Sequence, residues 1–81
     1  VLLEIITPDN KVFSGEVSCA NFPGSAGSFE VLTNHAPLIS TLGKGTITLG
    51  TDKGVETFVI DGGIVEVLNN NVIVLAESVV K

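Results

Sequence analysis

Apolar residues along this chain recur with a period of two, in short runs rich in valine, isoleucine and threonine. No window of a dozen residues keeps the 3.6 period of a helix. That pattern confines the chain to an all-β fold. It predicts strands over residues 2–7, 12–21, 28–33, 38–42, 45–49, 55–61, 63–68 and 72–76. The separators are turn formers: Pro8-Asp9-Asn10, Pro23-Gly24, Gly43-Lys44-Gly45, Asp52-Lys53-Gly54 and Asn69-Asn70-Asn71. Spacing this short leaves antiparallel neighbours and no room for crossover helices. The expected architecture is a flattened antiparallel β-sandwich or barrel of about eight to ten short strands.

A single domain of 81 residues buries only about 60 to 65% of the surface its unfolded chain exposes, so its core is thin. A hydrophobic content of 44% is high for such a chain. It implies a densely packed interior together with apolar surface left for a partner. The net charge is −5, with four lysines and no arginine. Nucleic-acid recognition needs cations to neutralise phosphates, and docking on anionic lipid needs a basic patch, so neither is expected. No apolar run approaches the ~20 residues of a membrane-spanning helix, and no direct membrane insertion is expected. The start lacks the basic flank of a secretory signal. One cysteine, Cys19, and one histidine, His35, make an internal disulfide impossible and leave too few soft ligands for a structural zinc site.

Residues that suggest chemistry read better as structure. Histidine is the residue type suited to proton exchange near neutral pH, but no nucleophile, oxyanion loop or second carboxylate accompanies His35 in sequence. Asn34 and His35 are expected to start a turn, with Pro37 fixing its backbone angle and Leu38 entering the core. Gly24, Gly27, Gly43 and Gly45 precede no helix that could face a phosphate, and are expected to be turn glycines with positive φ. Asp61-Gly62-Gly63 reads as a sharp corner between strands, and Cys19 as a small buried hydrophobe. Lys53 stands at the tip of an expected hairpin. This resembles the modified lysine of lipoyl and biotinyl carrier domains, although glycine follows it here. A carrier domain is therefore the alternative reading. No cofactor or metal site is expected.

Six segments in register carry a stronger resemblance. They are Leu3-Glu4-Ile5-Ile6-Thr7-Pro8, Val12-Phe13-Ser14-Gly15-Glu16-Val17, the run from Pro23-Gly24 to Leu32, Asn34-His35-Ala36-Pro37-Leu38, Ile60-Asp61-Gly62-Gly63-Ile64-Val65-Glu66-Val67, and Asn71-Val72-Ile73-Val74-Leu75-Ala76-Glu77. Together they resemble the epsilon subunit of F-type ATP synthases, called delta in mitochondria, in its amino-terminal β-sandwich domain. The resemblance implies a non-catalytic rotor part at the foot of the central stalk. Such a part binds the gamma subunit and the membrane c-ring, and couples ion translocation to ATP synthesis on the cytoplasmic face of the bacterial inner membrane.

The resemblance also places the contacts with both partners around Thr7, Ser28, Phe29, Glu30, Asn34, His35, Ala36, Pro37, Leu38 and Ser40. Phe29 and Leu38 are equally readable as core residues. Family members often carry an acidic residue where this chain has Ser28, and Glu30 is the carboxylate available in its place. Family members also commonly continue into two carboxy-terminal helices, whereas this sequence ends at Lys81. One domain over residues 1–81 is thus expected, with no inhibitory or ATP-sensing part. Self-association of the isolated domain through its gamma-facing surface stays open.

Overall fold

A computed structural model describes residues 1–80. Nine strands make up the fold: β1 (Leu2–Ile6), β2 (Lys11–Glu16), β3 (Cys19–Phe22), β4 (Phe29–Leu32), β5 (Leu38–Leu42), β6 (Gly45–Thr51), β7 (Gly54–Ile60), β8 (Gly63–Leu68) and β9 (Asn71–Ala76). They form a five-stranded sheet in the order β2, β1, β9, β8, β5, and a four-stranded sheet in the order β4, β3, β6, β7. The expected β-sandwich is present, in a flattened body of 27 × 26 × 19 Å.

Alternation drives the layering. In β9 the pattern exposed, buried is kept from Asn71 to Ala76, so Val72, Val74 and Ala76 enter the core. Leu3 and Ile5 of β1, Phe22 of β3, Ile47 and Leu49 of β6, Ile60 of β7 and Val65 of β8 meet them from the other strands and are fully buried. Each such side chain contributes about 1.5 to 3 kcal/mol by leaving water. Two aromatic pairs brace opposite sides of the sandwich: Phe13 of β2 with Phe58 of β7, centroids 5.8 Å apart, and Phe22 with Phe29, 5.6 Å apart. Phe29 and Leu38 are half-buried and pack against the core.

Three details differ from the sequence reading. The strand expected over residues 12–21 is two strands in different sheets. Buried Val17 turns inward between them, and the backbone N–H and hydroxyl of Ser18 both donate to the Gly50 carbonyl, at 2.8 and 3.1 Å, drawing the chain onto β6. Pairing is not wholly antiparallel either. β1 lies parallel to β9, with Ile5 opposite Val74. No tight turn constrains that pair, because nearly the whole domain is the connection between them. Finally, of the four loop glycines expected at positive φ only Gly27 has it, at 134°. Gly24 and Gly45 are set by close approach: an added Cβ would lie 2.5 Å from the Gly27 carbonyl oxygen and 2.7 Å from Pro23 Cβ, respectively.

The Asp61-Gly62-Gly63 corner is present, with positive φ at both glycines. Cys19 is half-buried rather than buried, because it points to the outer side of the four-stranded sheet beside Gly50.

Candidate protein interface

The two broad faces of the sandwich differ in chemistry. On the four-stranded sheet the central outward row reads Glu30, Asn21, Thr48, Thr57 across β4, β3, β6 and β7. Its neighbouring row holds Leu32 and Val55 only at the two ends, with Cys19 and Gly50 between. That is an ordinary solvated face.

The five-stranded sheet is different. Its first outward row reads Thr41, Ile64, Leu75, Ile6 across β5, β8, β9 and β1. The second reads Ile39, Glu66, Ile73, Glu4, Ser14, and the third Leu68, Asn71, Leu2, Glu16. Ile39 is 71% exposed, Leu75 53%, Leu68 48% and Ile64 45%. Four strands at about 4.8 Å spacing make the first row roughly 14 Å long. Exposed apolar side chains grouped in this way make the face a candidate docking surface.

Three shallow depressions lie on this face. One, of about 380 Å³, is lined by Ile6, Thr7, Pro8, Leu75, Ala76 and Glu77. A second, of about 260 Å³, lies among Leu2, Glu4, Asn71, Val72 and Ile73. The third, of about 190 Å³, lies among Glu66, Leu68, Asn69, Asn71 and Ile73.

The charges on the face are unequally matched. Glu4 accepts from Lys11 Nζ at 3.2 Å and from Ser14 Oγ at 3.5 Å. Glu66 has neither a hydrogen bond nor an ion pair among the described residues. Ile39 and Ile73 stand across from it on the neighbouring strands, with Ile64 and Leu68 two positions away on its own strand.

The structure separates the contact residues that resemblance gathered together. Thr7 lines the largest depression of the apolar face. Ser28 is exposed at the same end of the sandwich, where Gly27 donates to the Gly24 carbonyl and Gly24 bridges Leu42. Glu30 belongs to the polar face. Asn34, His35, Ala36 and Pro37 occupy the opposite end, in the crossing from β4 to β5. Their turn forms as expected: Asn34 takes φ 63° and its N–H donates to Asn70 Oδ1 at 2.8 Å, while the His35 N–H donates to the Leu32 carbonyl. His35 is half-buried, its Nδ1 2.7 Å from the Ala36 carbonyl oxygen. Ser40 is half-buried on edge strand β5, where its hydroxyl donates to the Thr41 carbonyl.

The outward apolar residues of β1, β8 and β9 escaped the sequence reading. A signal for them existed in the unbroken run Val72-Ile73-Val74-Leu75-Ala76, since a strand apolar on both sides is covered on both sides. No described cluster of three or more histidine, cysteine, aspartate or glutamate side chains is arranged to hold a metal ion. Lys53 sits exposed in the two-residue turn between β6 and β7. No described helix is long and apolar enough to cross a membrane.

The family model for the ATP synthase delta/epsilon chain β-sandwich domain matches residues 1–81. The ATP synthase epsilon chain of Maridesulfovibrio salexigens is 43% identical over 77 residues, a match covering 95% of this chain and 54% of that protein. The epsilon chain of Chlorobaculum tepidum is 44% identical over 78 residues, covering 95% and 89%. This chain thus spans about half of the first relative and most of the second. Among solved structures, a chain of the Euglena gracilis mitochondrial ATP synthase OSCP/F1/c-ring assembly superposes with a TM-score of 0.91 at 22% identity, over 99% of this chain and 52% of its own. A chain of the Tetrahymena thermophila mitochondrial ATP synthase central stalk/c-ring gives 0.85 at 15% identity, over 96% and 63%. At these identities the structures attest to the shared sandwich alone.

Proposed function

The chain belongs to the ATP synthase delta/epsilon family, of which it is the β-sandwich domain, and on that premise we propose that it is a rotor part of the central stalk. It binds the gamma subunit and the c-ring, turns with them, and couples ion translocation to ATP synthesis while catalysing nothing itself. It is peripheral, held at the cytoplasmic face of the bacterial inner membrane through the complex.

The observation that carries this reading is the apolar outer face of the five-stranded sheet, which a free, solvated sandwich has no reason to keep. Further support comes from the structural neighbours, whose assemblies are described as holding the c-ring or the central stalk with it. A cross-braced β-sandwich also resists shear, as a part transmitting torque must. On this reading Lys53 is a solvated turn lysine.

Reconstitution tests it. Purified gamma subunit and c-ring, incubated with the chain, are expected to retain it through gel filtration, and adding it back to ATP synthase complexes depleted of it is expected to restore ion-driven ATP synthesis. A chain that binds neither, or whose omission leaves coupled synthesis unchanged, refutes the reading.

A further inference from the structure

We propose that Asn70, in the turn between β8 and β9, is a positioning residue: its side-chain oxygen pins the crossing from β4 to β5, so that the turn carrying His35 is already ordered when the domain meets its complex. The pinning stands on the geometry alone. Its value for assembly rests on the stalk reading above.

The crossing, residues 33–37, joins the four-stranded sheet to the five-stranded one. Thr33, Asn34, Ala36 and Pro37 are exposed and His35 is half-buried, so none of them is anchored in the core. Two of its contacts are local: the His35 N–H donates to the Leu32 carbonyl at 3.2 Å, and His35 Nδ1 lies against the Ala36 carbonyl oxygen. Among the described residues, one hydrogen bond ties the crossing to a distant part of the chain. It runs from the Asn34 N–H to Asn70 Oδ1, at 2.8 Å. Asn34 is held at φ 63°, a conformation that side-chain sterics disfavour. The bond therefore stabilises a turn that the local backbone does not favour by itself.

Asn70 offers a fixed point for that bond. Its own carbonyl accepts from the Leu2 N–H at 3.2 Å, and its flanking residues Leu68 and Asn71 are paired across β8 and β9. Its backbone is thus tied to three strands. Asn69 and Asn70 take φ 51° and 64° as the two central residues of the hairpin turn. Glycine is the favoured residue at the second of these places, because it takes positive φ without steric cost. What asparagine adds there is an oxygen, and Asn34 uses it. Asn70 is half-buried, whereas Asn69 is exposed and its side chain makes no hydrogen bond among the described residues.

A turn that samples several conformations binds a partner with an affinity reduced by the fraction of time spent in the competent one. Ordering it beforehand removes that loss. One hydrogen bond shifts such a population by about three- to tenfold.

The test follows three variants by amide hydrogen exchange in NMR spectra of the protein and by binding to ATP synthase complexes depleted of it. Asn70→Gly keeps the turn and removes the oxygen. The Asn34 amide is expected to exchange about three- to tenfold faster, and affinity for the depleted complexes to fall by a similar factor. Its melting temperature is expected to stay within about 4 °C of wild type, because glycine at positive φ offsets the lost bond. Asn70→Asp keeps an acceptor and is expected to hold both readouts within about twofold of wild type. Asn69→Gly alters the same turn and is expected to leave both unchanged.

Unchanged Asn34 exchange in Asn70→Gly overturns the pinning. Faster exchange with unaltered affinity overturns the positioning role and leaves the stalk reading intact. A melting temperature that falls together with affinity marks Asn70 as merely structural and also overturns that role. Wild-type protein that does not bind the depleted complexes refutes the stalk reading and the positioning role with it, while the exchange rates still decide the pinning.

Discussion

Gly63→Ala, compared with Gly27→Ala, separates two reasons for which this fold demands glycine. Both residues hold a positive φ, 156° at Gly63 and 134° at Gly27, in a region nearly reserved for glycine. An alanine forced into it costs about 1 to 3 kcal/mol at either site. At Gly27 nothing lies within 4 Å of an added Cβ, so that strain is the whole cost. At Gly63 the Cβ would lie 2.3 Å from the Leu75 carbonyl oxygen and 2.9 Å from Ala76 Cα, both backbone atoms of the paired strand. Gly63 is also paired on its other side with Leu42, so moving away from β9 disturbs β5. Relief by backbone displacement adds about 1 to 3 kcal/mol more.

The two variants should therefore differ by about 2 kcal/mol. At roughly 4 to 8 °C per kcal/mol for a domain of this size, that is about 8 to 16 °C in melting temperature. Urea titrations and differential scanning calorimetry of wild type and both variants, at one protein concentration, measure the gap. Equal destabilisation would falsify the close-approach argument, and a wild-type melting temperature for Gly27→Ala would remove the backbone-strain argument as well.

Phe22→Ala removes a fully buried ring that packs on Phe29, and should cost about 3 to 5 kcal/mol in urea unfolding; a loss below about 1 kcal/mol contradicts its place in the core. His35→Ala removes a half-buried ring near the Ala36 carbonyl. It should weaken assembly with gamma or coupling while an assembled catalytic hexamer still hydrolyses ATP, and abolished hydrolysis would count against a non-catalytic role. Protein isolated from its native source should show no mass increment at Lys53 by intact-mass spectrometry, since a lipoyl or biotinyl adduct there would restore the carrier reading.

Much of the fold was legible because its causes are local. Asn34 at φ 63° and Gly27 at φ 134° fall where turn chemistry put them, and Val72 and Val74 enter the core because alternation places them on one side. The errors arose where partners distant in sequence intervene. Residues 12–21 read as one strand because the bond from Ser18 to Gly50, which moves the chain from one sheet to the other, leaves no mark on local propensity. Gly24 and Gly45 were correctly marked as special but for the wrong reason. The crowding by Gly27 and Pro23 exists only once the loops meet.

The interface shows the same division. Resemblance supplied Thr7, Ser28, Phe29, Glu30, Asn34, His35, Ala36, Pro37, Leu38 and Ser40, and the structure spreads them over both ends and both faces. The apolar face draws on β1, β5, β8 and β9, with β1 joined to β9 across nearly the full length of the chain.

The sequence by itself determined an all-β sandwich, the positions of its turns and its net negative charge. These follow from side-chain periodicity, backbone preference and composition, each a property of a residue and its near neighbours. Its family followed from the resemblance of six segments in register. Only the tertiary structure decided that β1 lies parallel to β9, that one broad face is polar and the other apolar, and that Glu66 stands among isoleucines and leucines with no ionic partner among the described residues. Alternation gives every strand two sides but names neither its neighbours nor its register. Those are set by the burial of a shared core between strands far apart in sequence.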